Sequence, residues 1–397
     1  MEEFRRYAEQ YRAALYQDVL PFWLRHSIDH EYGGYFTCLE RDGRVYDMDK
    51  FIWLQGREVW TFSMLYNHVE HRQEWLQAAR SGVEFLRRFG QAENGDWYFA
   101  LTREGQPLVQ PYNVFSDCFA AMAFGQYSLA SGDDASAGLA RSTYQRILRR
   151  QDNPKGPYNK MFPDTRPLRN FALPMILCNL TLELEHILSA EETESTINAC
   201  IHAVMGDFID QRSGLVLENI SPDGRPVDSF EGRLLNPGHA IEAMWFIMEL
   251  ARRRDDRELT RRAVEVVLRE VSFGWDEEFG GIFYFLDRLG KPPLQLEWNQ
   301  KLWWVHVETL IALSLGYELT GELKCLEWYR RVHDYTWTHF PDPDYGEWFG
   351  YLDRQGRPLL TLKGGKWKGC FHVPRGLLRC SEIFSRLVQR GFRDEPK

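Results

Sequence analysis

The sequence predicts an all-α protein in which six helical hairpins close into a toroid, with short β-ribbons in the long connections. Three observations support this prediction. A short phrase followed by a turn recurs at a regular interval, each interval contains two amphipathic stretches of helical length, and neither end carries a polar capping repeat, which favours closure over an open solenoid. No linker rich in Pro, Gly or Ser divides the chain, so we expect one domain over residues 1–397.

The recurring phrase is aromatic or apolar and precedes a turn that contains glycine. Its clearest copies begin at Gly33, Asp96 and Gly280, and weaker ones begin at Gly214 and Glu347. The turn glycines, at positions 43, 105, 224, 290 and 356, are separated by 62, 119, 66 and 66 residues. The double interval implies a sixth copy with its turn near residue 165, in a turn-rich stretch over 154–167 that has lost the phrase.

Twelve stretches have apolar residues at the spacing of an amphipathic helix. They span approximately residues 2–26, 51–69, 72–90, 113–131, 134–150, 168–188, 191–210, 236–254, 257–272, 301–320, 322–339 and 370–390. Short loops join the members of a hairpin, whereas the longer connections are typical of small β-ribbons. The even-numbered stretches are the more apolar and follow the long connections. We therefore expect them to form an inner ring with their N-termini at one mouth.

Composition limits the classes of partner. The chain has 48 basic and 57 acidic residues, and this net charge of −9 argues against nucleic acid or an anionic membrane surface. No stretch approaches the ~18 apolar residues of a membrane span. The 14% aromatic content suits the C–H faces of sugars, although large cores would account for it equally well. Seven cysteines without a C-x-x-C pair, and a charged N-terminus, predict reduced thiols in a cytoplasmic protein.

Six ionisable residues lie at nearly equivalent positions near the start of the predicted inner helices, 12 to 18 residues after the turn glycine of their repeat. They are Arg57, Asp117, His239, Glu242, Glu308 and His372. In a closed toroid these residues would converge on one central pocket, which is the candidate site for binding or catalysis.

His239 follows Asn236-Pro237-Gly238, in which Asn caps a helix and Pro occupies its first turn. A histidine there lies near the positive end of the helix dipole, so we expect a neutral imidazole that acts as a base. His372 occupies the same place in the last repeat. For both histidines, a structural capping role is the alternative.

Arg57 lies among aromatic residues, where an arginine either binds an oxyanion or pairs with a buried carboxylate. Glu308 either orients a histidine or a sugar hydroxyl, or belongs to a buried ion pair. The sequence has no H-E-x-x-H motif, no cluster of Cys and His ligands and no Asp-rich loop, so we expect no metal site. It also lacks a G-x-G-x-x-G fingerprint between strand and helix and a Walker A motif.

Five phrases of the sequence carry a family resemblance over nearly the whole chain. They run from Phe51 to Arg57 (FIWLQGR), from Gln110 to Asp117 (QPYNVFSD), from Glu231 to His239 (EGRLLNPGH), from Lys301 to Glu308 (KLWWVHVE) and from Lys366 to His372 (KWKGCFH). Together they resemble the N-acylglucosamine 2-epimerases. The resemblance implies an (α/α)6 barrel and an isomerase that interconverts N-acetyl-D-glucosamine and N-acetyl-D-mannosamine, a sialic acid precursor, without a cofactor for the chemistry.

By motif match, the resemblance implies that His239 and His372 are the acid/base pair. It implies supporting roles for Arg57 and Glu308. The residues expected to contact the sugar are Glu242, Asn113, Asp117, Tyr112, Trp304 and Trp367. Relatives that act on cellobiose or free mannose have a further histidine on the sixth helix, and residues 170–176 contain none, which favours an N-acyl amino sugar.

The resemblance also implies a homodimer and ATP as an activator that is not consumed. Residues 149–160 are the candidate site, because this one connection has lost the recurring phrase and contains four cations, including Lys155 and Lys160. A solvated basic loop is the alternative. The loop of residues 363–368 is the next candidate.

Epimerisation at C2 needs no redox cofactor, because in the open-chain aldehyde the C2 proton is α to a carbonyl. One histidine would remove that proton, the other would return a proton to the opposite face, and Arg57 would hold the oxyanion.

Two other classes of function remain as alternatives. A glycoside hydrolase would use Asp117 with Glu242 or Glu308, but it leaves two histidines without a role. A non-catalytic binding protein is disfavoured by an intact acid/base pair.

Overall fold

Helices dominate the computed structural model, which describes residues 1–160, 162 and 165–393. The α-helices in these ranges are α1 (Glu2–Ala14), α2 (Leu20–His26), α3 (Ile52–His68), α4 (Gln73–Phe89), α5 (Val114–Ser131), α6 (Asp134–Arg149), α7 (Ala172–Glu183), α8 (Ala190–His202), α9 (Phe230–Arg233), α10 (Pro237–Arg253), α11 (Arg257–Gly274), α12 (Trp303–Thr320), α13 (Leu323–His339) and α14 (His372–Arg393). A π-helical segment, Leu15–Val19, joins α1 to α2, and another, Ala203–Asp207, extends α8.

Six of these helices form the inner ring of a barrel. They pack in the order α3, α5, α7, α10, α12 and α14, and each packs against an outer partner. The outer partners are α4, α6, α8, α11, α13 and, for α14, the N-terminal α1. Helices α3, α5 and α12 are buried on nearly all sides, as an inner position requires. The (α/α)6 barrel predicted from the repeat is therefore confirmed.

The two ends of the chain meet to close the barrel. The last hairpin consists of the C-terminal inner helix α14 and the N-terminal outer helix α1. On the inner side, Thr61 Oγ1 of α3 donates a hydrogen bond of 2.7 Å to the carbonyl of Cys370, just before α14. On the outer side, the Tyr11 hydroxyl of α1 bonds to His333 and Tyr329 of α13.

Short antiparallel ribbons surround one mouth of the barrel. The strands are β1 (Cys38–Leu39), β2 (Val45–Asp47), β3 (Lys50–Phe51), β4 (Ala100–Leu101), β5 (Pro107–Val109), β6 (Arg169–Asn170), β7 (Asn219–Ile220), β8 (Leu234–Leu235), β9 (Leu286–Asp287), β10 (Lys301–Leu302), β11 (Tyr351–Leu352) and β12 (Pro358–Leu360). They pair as β1-β2, β3-β4-β5, β6-β7, β8-β9 and β10-β11-β12. The strands before α3, α7, α10 and α12 each pair with a strand of the next connection, so the ribbons tie neighbouring repeats together.

Three of the mouth connections contain the same buried ion cluster. In each, an aspartate accepts a hydrogen bond from a buried lysine and from an arginine of another ribbon. The clusters are Asp29 with Lys50 and Arg103, Asp276 with Lys301 and Arg354, and Asp342 with Lys363 and Arg41. In the third cluster the arginine comes from the first connection, so this cluster also joins the two ends of the chain.

The repeat and the helix boundaries agree with the sequence prediction except around the sixth helix. The five recurring phrases each form an isolated β-bridge, at Tyr35, Trp97, Val216, Ile282 and Trp348. Helix α7 is shorter than the predicted 168–188, because residues 169–170 pair with β7 and residues 184–187 form a turn. Part of the predicted sixth turn, residues 161, 163 and 164, lies outside the described residues. No helix in the described ranges is long and apolar enough to cross a membrane.

We expect Lys301→Met to destabilise the fold, because both members of the Lys301–Asp276 pair are buried and 3.1 Å apart. Breaking one side of a buried ion pair costs about 3 kcal/mol. Urea unfolding followed by circular dichroism measures the loss. The exposed Lys324→Met is the matched control and should change the unfolding free energy by less than about 0.5 kcal/mol. Equal midpoints for Lys301→Met and the wild type would contradict a structural role for the cluster.

Candidate active site

The N-terminal halves of α3, α10, α12 and α14 bring the predicted acid/base residues to the ribbon side of the barrel. The start of α10 is fixed by Asn236, whose side-chain oxygen accepts the backbone N–H of His239 at 3.1 Å, and by Pro237 in the first turn. His372 is the first residue of α14. Both histidines therefore lie where inner helices begin, as the repeat predicted.

His239 is held by a glutamate that the sequence analysis did not identify. Its Nδ1 lies 3.0 Å from Glu218 Oε1. A carboxylate only accepts, so Nδ1–H is the donor and Nε2 is left with its lone pair when the ring is neutral. Burial opposes the imidazolium, but the charge and hydrogen bond of Glu218, with Glu242 behind it, outweigh burial and raise the pKa of His239. We expected the helix dipole to disfavour the imidazolium of His239, but the pKa shift has the opposite direction, because a carboxylate 3.0 Å away outweighs a helix terminus.

His372 is also held by a glutamate, but its pKa is shifted in the opposite direction. Its Nδ1 lies 2.7 Å from Glu308 Oε1, so here too Nδ1–H is the donor. Burial lowers the pKa of His372 well below its ordinary value, and the nearby Arg57 cation adds to the effect despite the charge of Glu242. His372 is therefore a neutral imidazole at neutral pH.

Trp304 lies between the two histidines. Its ring centroid is 5.3 Å from that of His239 and 5.8 Å from that of His372. Neither Nε2 atom forms a hydrogen bond with any described residue. The site therefore presents two imidazoles, each fixed through Nδ1 by a glutamate, with free Nε2 atoms beside one aromatic face.

Arg375 joins three inner helices behind His372. Its Nη2 donates to Glu242 at 2.5 Å and to Glu308 at 2.7 Å, and the second oxygen of Glu308 accepts from Trp245 Nε1 at 2.8 Å. Among the described residues, Glu242, Glu308 and His372 form one group with the spacing of metal ligands. The guanidinium already supplies the positive charge these carboxylates need, so this group has the character of an ion-pair network.

Arg57 is surrounded by aromatic rings. Its guanidinium carbon is 4.3 Å from the centroid of Trp53, 4.1 Å from that of Phe119 and 4.8 Å from that of Phe371. Nε has no hydrogen-bond partner, and burial lowers the pKa of Arg57 to about 9 although carboxylates nearby oppose the shift. A buried arginine with unused donors is suited to binding an oxyanion that arrives with the substrate.

The other predicted sugar contacts are divided between the site and the wall of the barrel. Trp367 is half exposed and packs edge-on against Trp53 at 5.5 Å, next to Arg57. Asn113 instead caps α5 by accepting the Phe115 N–H at 2.9 Å.

Asp117 and Tyr112 also have local partners. Asp117 accepts from Arg150 Nη1 at 3.1 Å, and burial raises the pKa of this carboxyl to about 7. Tyr112 packs against Phe99 at 4.9 Å. The described contacts therefore unite His239, His372, Glu308 and Glu242 through Trp304 and Arg375, and they do not connect Asn113, Asp117 or Tyr112 to that group.

The two residues that sequence reasoning missed had detectable signals. Glu218 lies six residues before its turn glycine, where the other four copies have Thr37, Phe99, Tyr284 and Gly350. A charge at an otherwise uncharged repeat position indicated a special role. Arg375 follows His372 by three residues on one helix, which places both on the same face.

Comparison with known proteins agrees with the fold and identifies the family. The family model for N-acylglucosamine 2-epimerase (GlcNAc 2-epimerase) matches residues 34–373. The chain is 40% identical to N-acylglucosamine 2-epimerase of Mus musculus, over 98% of this chain and 96% of that protein. It is 42% identical to N-acylglucosamine 2-epimerase of Bos taurus, over 94% of this chain and 90% of that protein. The solved structure of cellobiose 2-epimerase from Bacillus thermoamylovorans B4167 superposes with a TM-score of 0.83 at 22% identity, covering 97% of this chain and all of that one.

These findings define the protein as an epimerase, an enzyme of the isomerase class built on an (α/α)6 barrel. More specifically, the chain belongs to the N-acylglucosamine 2-epimerase family, and the family predicted from the five phrases is confirmed.

We expect Glu218→Gln to lower the pKa of His239, because an amide keeps an oxygen acceptor for Nδ1–H but removes the charge that favours the imidazolium. Titration of the histidine side chains by NMR measures the shift. The exposed Glu258→Gln is the matched control and should leave the pKa of His239 unchanged. A His239 pKa equal to the wild-type value in Glu218→Gln would contradict the role given to this carboxylate.

Proposed function

We propose that the protein interconverts N-acetyl-D-glucosamine and N-acetyl-D-mannosamine by inverting C2 through two histidines. The observation that carries this proposal is the matched pair of imidazoles. Each is fixed through Nδ1 by a glutamate, each has a free Nε2 beside Trp304, and their pKa values are shifted in opposite directions. Such a pair supplies one base and one acid at the same pH.

The reaction begins with the ring-opened aldehyde. Neutral His372 Nε2 takes the C2 proton, and the electrons of the C2–H bond move into the C1–C2 bond as the carbonyl π electrons move to the carbonyl oxygen. Arg57 stabilises that oxyanion. The imidazolium of His239 then returns a proton to the opposite face of C2, and ring closure gives the epimer. In the reverse direction the two histidines exchange roles.

The proposed sugar contacts follow the position of each side chain. Trp304 and Trp367 offer aromatic faces to the C–H face of the sugar, and Glu242 lies beside the acid/base pair. Contacts from Tyr112, Asn113 and Asp117 remain predictions. The absence of histidine over residues 170–176 supports an N-acyl amino sugar, because the resemblance implies a further histidine there in relatives that act on cellobiose or free mannose.

The hydrolase alternative fits the site less well. A glycoside hydrolase needs two carboxylates on either side of the scissile bond, about 5–10 Å apart. Here Glu242 and Glu308 both bind one guanidinium nitrogen, and Asp117 is paired with Arg150. A purely binding role leaves the opposed pKa shifts of the histidines without a purpose.

We further propose a single catalytic domain over residues 1–397, supported by the packing of α1 on α14. The seven cysteines are all buried and form no disulfide, which supports a reducing, cytoplasmic location. We also propose a homodimer, a role in sialic acid precursor supply and chemistry without metal or nicotinamide, as the resemblance to the family implies.

ATP is the proposed activator, bound at residues 149–160. Lys155 and Lys160 are exposed there, beside a 3₁₀ turn at Gly156–Tyr158. Arg150 connects this segment to the barrel wall through Asp117. The alternative loop of residues 363–368 is less suitable, because two of its three lysines are fully buried and paired with Asp342 and Glu347.

We expect His239→Ala and His372→Ala each to lose on the order of 10²-fold or more in turnover, the usual scale for general acid–base groups. The double variant should be little worse, because the two groups act as a unit. Wild-type enzyme in D2O should incorporate deuterium at C2 of the sugar, measured by NMR. His339→Ala, at the end of an outer helix, is the matched control. Near-normal turnover in either active-site variant would refute the assignment.

We expect Lys160→Ala to abolish ATP activation while retaining basal epimerisation. Saturation at about 100 times Kd stabilises a protein by roughly 2.7 kcal/mol, which calorimetry detects as a melting shift of a few degrees. The exposed Lys324→Ala is the control and should keep the shift. An unchanged shift in Lys160→Ala would place the nucleotide elsewhere.

A further inference from the structure

A polar cavity lies at the end of the barrel opposite the ribbons. It has a volume of about 510 Å³, within the range of small-molecule sites. Its lining includes Trp60, Gln126, Glu183, Arg375, Arg379 and Arg12. These side chains come from the middle of α3, the last turns of α5 and α7, the first half of α14 and from α1.

This cavity is distinct from the active site. It also reaches Glu382, ten residues beyond His372 on α14, which corresponds to roughly 15 Å along a helix. Arg375 and Trp60 lie between the two spaces. Trp60 is fully engaged there, because its Nε1 donates to Glu183 at 2.8 Å.

Three guanidinium groups of the cavity have unused donors. Arg375 is 2% exposed, and its Nε forms no hydrogen bond although its Nη2 holds Glu242 and Glu308. The nearest charged partner of Arg379 is 3.8 Å away, at Glu249. Arg12 makes one hydrogen bond within the described residues, of 3.4 Å, to Ser385 Oγ.

Arg386 also lines the cavity but, unlike these three arginines, has a bidentate carboxylate partner. Its guanidinium binds both oxygens of Glu318, at 2.7 and 2.8 Å, in a bidentate ion pair. Arg12, Arg375 and Arg379 have no such bidentate carboxylate within the described residues. Arg12 is exposed and Arg379 is partly buried, whereas Arg375 is buried, so its unpaired guanidinium edge costs free energy unless an anion or water satisfies it.

The cavity also offers acceptors. Glu183 accepts hydrogen bonds from Trp60 and Gln126 through Oε2 only, which leaves Oε1 without a hydrogen bond from any described residue. Glu382 accepts no hydrogen bond from the described chain. A bare anion would meet these carboxylates unfavourably, whereas hydroxyl groups would donate to them.

We propose that this cavity binds a small hydroxylated organic anion. Its carboxylate or phosphate contacts Arg12, Arg375 and Arg379, and its hydroxyls donate to Glu183 and Glu382. Sugar acids and sugar phosphates have this chemistry. The site does not depend on the reaction assigned to the other mouth, although Arg375 contacts both spaces.

Isothermal titration calorimetry with D-gluconate and with D-glucose 6-phosphate tests the proposal and separates the carboxylate from the phosphate. We expect at least one of them to bind the wild-type protein and neutral D-glucose to bind at least tenfold more weakly. Arg12→Gln/Arg379→Gln should weaken the anion at least tenfold. The matched control is Arg261→Gln, on the exposed face of α11, which should bind as the wild type does.

Competition locates the ligand. Saturating N-acetyl-D-glucosamine should leave the anion affinity unchanged, because the two mouths are separate. Absence of binding by both anions, equal binding of glucose, full affinity in the double variant or displacement by the amino sugar would each overturn the proposal. If the double variant does not fold, the two single variants serve, each with an expected threefold or larger loss. None of these readouts requires epimerisation.

Discussion

The guanidinium of Arg375 is the interaction on which the active site depends. It brings together two carboxylates from different inner helices, Glu242 of α10 and Glu308 of α12, and it belongs to a third, α14. Each of these charges is nearly excluded from water and would be strongly unfavourable alone. Because they compensate one another, the core accommodates Glu308, which fixes the ring of His372.

The environment of each histidine decides its chemical character. Both rings donate Nδ1–H to a glutamate, yet their pKa values move in opposite directions. No arginine of the described residues pairs with Glu218, so its charge acts on His239. Glu308 shares its charge with Arg375 while Arg57 lies close to His372, so burial prevails there. The proposed acid and the proposed base thus come from two similar motifs.

Residues that stabilise the barrel and residues of the candidate active site occupy different positions in the fold. The repeated aspartate–lysine–arginine clusters and the ribbons lie in the connections at the mouth, where they fix the spacing of the inner helices. The residues of the candidate active site lie in the first two turns of those helices, on the side that faces the centre of the barrel. Glu218 departs from the repeat and holds the ring of His239, and the 149–160 connection, which also departs from it, is the proposed nucleotide site.

The sequence by itself determined the number of repeats, the division into inner and outer helices and the residues at the mouth. These follow from periodicity and from helix-start signals such as Asn236-Pro237, which act locally. It also determined the family, because the five phrases include His239, Glu308 and His372. Only the tertiary structure decided the partners of those groups. Glu218 is 21 residues from His239, and Arg375 is 67 from Glu308, and no local rule links positions so far apart. The sign of the His239 pKa shift depends on such a contact, so the helix dipole alone predicted it wrongly.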